Sequence, residues 1–366
     1  MKRAVIIGAG WYGLYAADYL LKHARFADWE ICVVEKNADI MTDCASCFNQ
    51  CRLHLGFHYP RSHETRTLCR KGFDDFLAEF PHLAEPVEDN YYMISDRSLI
   101  DLKTYTAIFH HEKYDFEQVE CPSALSHADG NVLIRVKEQF INPKTVRQHF
   151  RESLSEKERL QWMFNCRVCD CDPTAKTLHI TNTTNNSDSV LSYDLCIDCS
   201  NYQAPLEPPI ALKDTVCYEA FVALLYKRTE RFQQLFGALT VMDGPFFSFY
   251  PYDPAQNLFT LTHVVHGVAR RGTDFRDMPV LTEKTVAAMR TKIEVEVARY
   301  FPGFLQSFEF HSHFCSPKTK LQSVSDSRRL LFRSVTPTLH RVSCGKITGV
   351  FELRDKLEGV LNSTAD

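Results

Sequence analysis

Near its start the chain runs through a short apolar stretch, Val5–Ile7, straight into Gly8-x-Gly10-x-x-Gly13, and then into Leu14–Leu21 with helical spacing. A second apolar run, Ile31–Val34, ends in Glu35. This order of strand, glycine turn, helix, strand and terminal acid has a specific physical use. Gly8 permits the tight turn, Gly10 lets the backbone approach a pyrophosphate, and Gly13 lets the helix pack on the strand. Phosphates then meet the unpaired N–H groups at the positive end of the helix. Glu35 is placed to accept hydrogen bonds from an adenosine ribose, and its charge disfavours a 2′-phosphate. The opening is a dinucleotide site for FAD or NAD, and the glycines do not choose between them.

The 366 residues carry a net charge of −4, with 45% hydrophobic and 24% charged residues. That balance offers no polycation for nucleic acid or an anionic membrane, so the expected partner is a small-molecule substrate. Oligomeric state stays open. The length suits two or three lobes. No run nears the ~20 apolar residues of a membrane span. No secretory leader is evident, so the expected location is cytoplasmic and the 14 cysteines are expected to be reduced. Cys44-x-x-Cys47-x-x-x-Cys51 has the residues for zinc or a redox pair, yet no second pair follows with matching spacing. The cysteines are therefore expected to be scattered small hydrophobes, with no metal.

After Glu35 comes "MTDCASCFNQCRLHLGFHYPRSHETRTLC", long, polar and aromatic-rich, where an NAD domain would continue into a simple strand–helix repeat. Such a loop suits a flavin, which needs hydrogen bonds along its ring edge and ribityl chain. Within it, "SCFNQCRLHLGFHYPRS" resembles the corresponding stretch of the FAD-dependent oxidoreductases of the D-amino-acid oxidase-like superfamily. The resemblance recurs at "INPKTVRQHF", at "TLHITNTTNNSDSVLSYDLCIDCSNYQ", and in the closing "RRLLFRSVTPTLHRVSCGKITGVFELRDKLEGVL". Two departures stand out: Cys199-Ser200-Asn201 replaces the family's small-residue turn, and Gly345-Lys346-Ile347-Thr348-Gly349 replaces its glycine–histidine pattern. The resemblance implies FAD as cofactor and an α/β fold: a GxGxxG Rossmann-like FAD domain joined to a β-rich, mixed-sheet substrate domain. Residues 1–85, 138–205 and 325–366 are expected to form the first, and 86–137 and 206–324 the second. The expected cofactor set is Gly8, Gly10, Trp11, Tyr12, Gly13, Glu35, Lys36, Ser46, Asn49, Arg52, Leu53, His54, Val168, Cys199, Gly345, Lys346, Ile347 and Thr348.

The apolar positions Leu68, Phe73, Phe76, Leu77 and Phe80 predict a helix over 66–80. Residues 91–137 read as short antiparallel strands, and Asn142 and Pro143 cap a helix ending at Leu154. Residues 166–200 return to strands of the nucleotide domain, 218–266 are β-rich, and 283–301 form a long helix.

The implied reaction is oxidation of a C–N or C–O bond in an amine, amino acid or hydroxy acid, with hydride passing to flavin N5. His54 or His58 would take a substrate proton and Arg61 would clamp a carboxylate. Alternation puts Tyr250 and Tyr252 on one face of a strand, where a hydroxyl would orient the substrate. His263 and His266, three apart in a strand, should face opposite ways. Two other readings stay open: a non-redox flavoenzyme of the sugar-nucleotide mutase kind, and a non-catalytic protein that holds FAD.

Overall fold

The computed structural model describes residues 1–127, 130–207, 216–232, 236–321 and 329–363. The boundary expected near 324 lies outside the described residues.

Strand β1 (Arg3–Ile7) is buried over its last four residues, and β2 (Glu30–Val34) over all five, as strands covered on both faces must be. Between them α1 (Trp11–Lys22) buries Trp11, Leu14, Tyr15 and Leu20. They form part of a six-stranded sheet in the order 331–336, 339–343, 195–198, β1, β2, 160–163. All neighbours are parallel except 331–336 with 339–343. Ile7 at the end of β1 pairs with Val34 on one side and Asp198 on the other, so three strand ends open on one edge.

A nine-stranded sheet takes its strands from residues 90–136 and 216–321. Its long strands, Val216–Arg228 and Phe308–Leu321, pair antiparallel. The helix Glu283–Tyr300 packs into the same apolar core through Val286, Ile293, Val297 and Tyr300. In a third, small sheet β3 (Arg52–Leu53) pairs with Gln139–Ile141, which also pairs with Ala84–Pro86. Cys166–Asp172, Thr177–Asn182 and Asp188–Ser192 form a separate three-stranded sheet.

Several local expectations need correction. Helix α2 runs His63–Glu79, three residues earlier than its apolar spacing predicts, because Ser62 Oγ accepts the Thr65 N–H and starts it. Leu68 and Leu77 are only half-buried on it. Residues Leu102–His111, expected as strand, form a helix capped by Asp101, which accepts the Thr104 N–H at 2.8 Å. The helix after Asn142 runs Pro143–Ser153, with Asn142 accepting from Lys144 N–H at 3.0 Å. His263 and His266 do not diverge. Their strand stops at His263, the chain turns, and the rings stack 4.5 Å apart.

Candidate functional site

Two of the three glycines show in the backbone why a side chain is excluded. Gly8 sits at φ +96°, a conformation that side chains disfavour. A Cβ on Gly13 would stand 1.8 Å from the Gly8 carbonyl oxygen, so helix and turn touch backbone to backbone. Gly10 is the N-cap of α1 and supplies no side-chain cap. Ser46, from the polar loop, accepts the Trp11 N–H at 3.0 Å. Glu35 is buried and accepts from Ala9 N–H at 2.7 Å and from the Asn37 backbone and side-chain amides at 2.9 Å each. These occupy three of the roughly four acceptor positions of a carboxylate, which leaves room for a sugar hydroxyl.

The far end of the chain is tied to this turn. Trp11 Nε1 donates to Ile347 O at 2.8 Å and Tyr12 donates to Lys346 O at 2.6 Å. The Trp11 indole in turn packs on Phe76, Phe80 and Phe150 at 5.4–5.9 Å. Lys346 Nζ lies 2.8 Å from the Cys69 thiol and over the Tyr59 ring. Burial pushes that thiol up, with the ammonium opposing.

From the glycine turn a cavity of about 1340 Å³ extends under the large sheet. That exceeds the ~300–1,000 Å³ of an ordinary ligand pocket and suits a dinucleotide with a substrate beside it. Every residue of the expected cofactor set lines it except Gly13, which packs inward, and Leu53, which is fully buried in the core.

Arg52 forms the seam between the small sheet and the nine-stranded one. Its guanidinium donates to Thr240 Oγ1 (3.1 Å), Ser248 Oγ (2.9 Å) and the Tyr92 hydroxyl (2.6 Å), and stacks on the Tyr250 ring at 4.4 Å. Glu138, completely buried, lies 3.5 Å away and accepts from Tyr92 (2.8 Å), Asn90 (3.3 Å) and Leu55 N–H (2.9 Å). Burial pushes Glu138 up, while Arg52 and these donors pull it back toward the carboxylate. The Nε of Arg52 is buried beside the cavity with no hydrogen-bond partner. A buried donor left this way is costly unless something accepts from it.

His54 and His58 both line the cavity, with rings 4.3 Å apart, and Tyr59 packs on His58 at 4.2 Å. His58 Nδ1 is 3.2 Å from the Tyr92 hydroxyl. That hydroxyl has one proton, which goes to Glu138, so at this contact the ring Nδ1 is the donor. Arg61 is already engaged. It pairs with Asp243 through two nitrogens at the cavity margin, and its side chain is 62% exposed. Tyr250 and Tyr252 do not line the cavity. The first is buried, donates to Gln139 O and serves as the platform for Arg52, while the second donates to Cys47 O. Sequence reasoning missed Tyr92, Glu138, Thr240 and Ser248, the groups that fix Arg52. Among the described residues no cluster of His, Cys, Asp or Glu could hold a metal, and no helix is long and apolar enough to cross a membrane.

Residues 6–71 match the family described as an NAD(P)-binding Rossmann-like domain. The chain superposes on glycine oxidase from Bacillus cereus with a TM-score of 0.69, covering 98% of this chain and 95% of that one at 12% identity. The fold is that of the D-amino-acid oxidase-like oxidoreductases. The same fold relates it to the L-α-glycerophosphate oxidase of Mycoplasma pneumoniae, solved with FAD bound (TM-score 0.68, 14% identity, 99% and 95% coverage). In sequence it is 27% identical to the FAD-dependent monooxygenase FPY4 of Fusarium mangiferae, over 98% of this chain and 90% of the relative.

Proposed function

We propose that the protein oxidises a C–N or C–O bond of a small polar substrate held between Arg52 and the two cavity histidines. The protein is an FAD-dependent oxidoreductase, consistent with its fold, its glycine turn and its relatives. FAD would be held by the Gly8–Gly13 turn, Glu35, the polar loop around Ser46 and Asn49, and the Gly345–Thr348 turn. Bound there, it supplies the two-electron acceptor. The segments 1–85, 138–205 and 325–366 would serve as its domain and the remainder as the substrate lobe.

The observation that carries the substrate reading is the convergence of Arg52, His54 and His58 on one cavity. A fixed guanidinium at the seam recognises a carboxylate or hydroxyl oxygen and orients the adjoining carbon. His58, which lines the cavity, is the proton acceptor, and His54 packs against it. Anaerobic mixing with amino acids, amines and hydroxy acids tests this. One class should bleach the flavin band, and Arg52→Lys should weaken that class at least tenfold in KM, since Lys cannot reproduce the fork. No bleaching by any class, or an unchanged KM, counts against the reading.

One observation favours a second reading, oxygen insertion: the relative matched along nearly its whole length is named a monooxygenase. Isotopically labelled dioxygen separates the two, because label enters the product only in the second.

A further inference from the structure

Cys44 and Cys47 stand apart from the other cysteines. Their sulfurs are 3.7 Å apart, both residues are partly exposed, and Cys44 lines the cavity. The Cys47 N–H donates to Cys44 O at 3.0 Å, closing a turn with Ser46 inside it. That turn is strapped to the phosphate-binding loop at two points. Ser46 Oγ accepts the Trp11 N–H, and Met41 bridges the rest: its N–H donates to Ala9 O at 2.9 Å while its carbonyl accepts the Cys47 thiol at 2.9 Å. Thr42 and Asn49 complete the scaffold, Asn49 donating to Ala45 O and Ser46 O.

We propose that Cys44 and Cys47 are an oxidative modification site: a peroxide converts them to a disulfide, and the disulfide loosens the hold on FAD. The steps balance. One thiolate sulfur attacks the peroxide O–O bond, giving a sulfenic acid and water. The second thiol then displaces hydroxide from that sulfur, forming the S–S bond and a second water. Two electrons leave the pair and reduce one peroxide. Cys44 is the first nucleophile, because it lines the cavity that peroxide enters, whereas the Cys47 thiol is held by the Met41 carbonyl. Bonding draws the sulfurs from 3.7 Å to about 2.05 Å and removes the Cys47 S–H donated to Met41 O. Both changes fall on the turn that carries Ser46.

The flavin-loaded protein is treated with increasing hydrogen peroxide, alkylated, and digested for mass spectrometry, while flavin release is followed by fluorescence. The peptide holding Cys44 and Cys47 should lose two mass units before other cysteines react. Flavin release should quicken roughly fivefold, the effect of losing one hydrogen bond at the loop, and a phosphine reductant should reverse it. Cys47→Ser should hold flavin like the reduced protein and be insensitive to peroxide in release rate. Two free thiols at 44 and 47 after other cysteines have oxidised overturns the proposal. So does a disulfide that leaves flavin release unchanged. The mass readout stands whatever substrate the enzyme takes.

Discussion

Gly10 and Gly13 sit three residues apart in one motif, yet the structure assigns them different penalties. A Cβ on Gly13 meets the Gly8 carbonyl oxygen at 1.8 Å, where ordinary contact begins at 3.4 Å. The obstacle is backbone, so α1 must move about 1.5 Å off the turn, an overpacking that costs about 3 kcal/mol. A Cβ on Gly10 comes nearest Ser46 Oγ, at 3.3 Å, the tip of a side chain that can yield, with Cys44 Sγ in ordinary contact at 3.8 Å. With φ near −80° Gly10 needs no special backbone freedom, so Gly10→Ala should cost the flavin-free protein no more than about 1 kcal/mol. The new methyl would instead stand where the pyrophosphate approaches. In thermal melts of flavin-free protein, Gly13→Ala should lower Tm by roughly 5–10 °C and Gly10→Ala by only about 2 °C. In flavin titrations Gly10→Ala should bind at least tenfold more weakly, about 1.4 kcal/mol or more. Equal melting of the two variants, or undiminished flavin affinity in Gly10→Ala, would refute the division of labour argued from these contacts.

Other expectations follow from buried polar groups. Glu35→Ala should cost about 1–3 kcal/mol, because it leaves the Ala9 and Asn37 N–H groups without their acceptor, and flavin affinity should fall with it. Urea unfolding and flavin titration read the two effects. Arg341 is fully buried between Asp198 at 2.9 Å and the Ala204 carbonyl at 2.7 Å. Arg341→Ala strands the Asp198 charge and should cost about 3–5 kcal/mol in the same assay. His263 is buried and its Nδ1 accepts from the Val265 and His266 N–H groups, both at 3.1 Å. Burial, with His266 beside it, lowers its pKa from 6.5 to about 4. The unfolded chain therefore binds the proton first as pH drops. Stability present above pH 6.5 is lost as pH falls toward about 4, by about 3 kcal/mol in all. His263→Asn keeps an acceptor for the turn and should flatten that loss in denaturation curves taken across this range.

The glycine turn, Glu35 and the Asn142–Pro143 cap were legible because each is a local pattern read along one segment. The helix after Asp101 was legible in principle, since Asp101 and Thr104 are a cap pair, but its apolar residues also fit short strands. The period-two reading of Tyr250 and Tyr252 could not say which face met the cavity. That depends on Arg52, which enters from a strand about 200 residues earlier. Arg61 illustrates the same limit: its partner Asp243 lies in a distant turn, and a sequence shows a cation without showing that it is already paired. Glu138 carried no signal at all, being one acid among many until the fold closed around it.

The central strand 195–198 has β1 on one side and 339–343 on the other. During synthesis the first neighbour is available early, whereas the second emerges about 140 residues after the strand itself. Until then an apolar parallel edge lies open to other chains. A ribosome stalled beyond residue 200, or a gene truncated before residue 339, should therefore yield an aggregate.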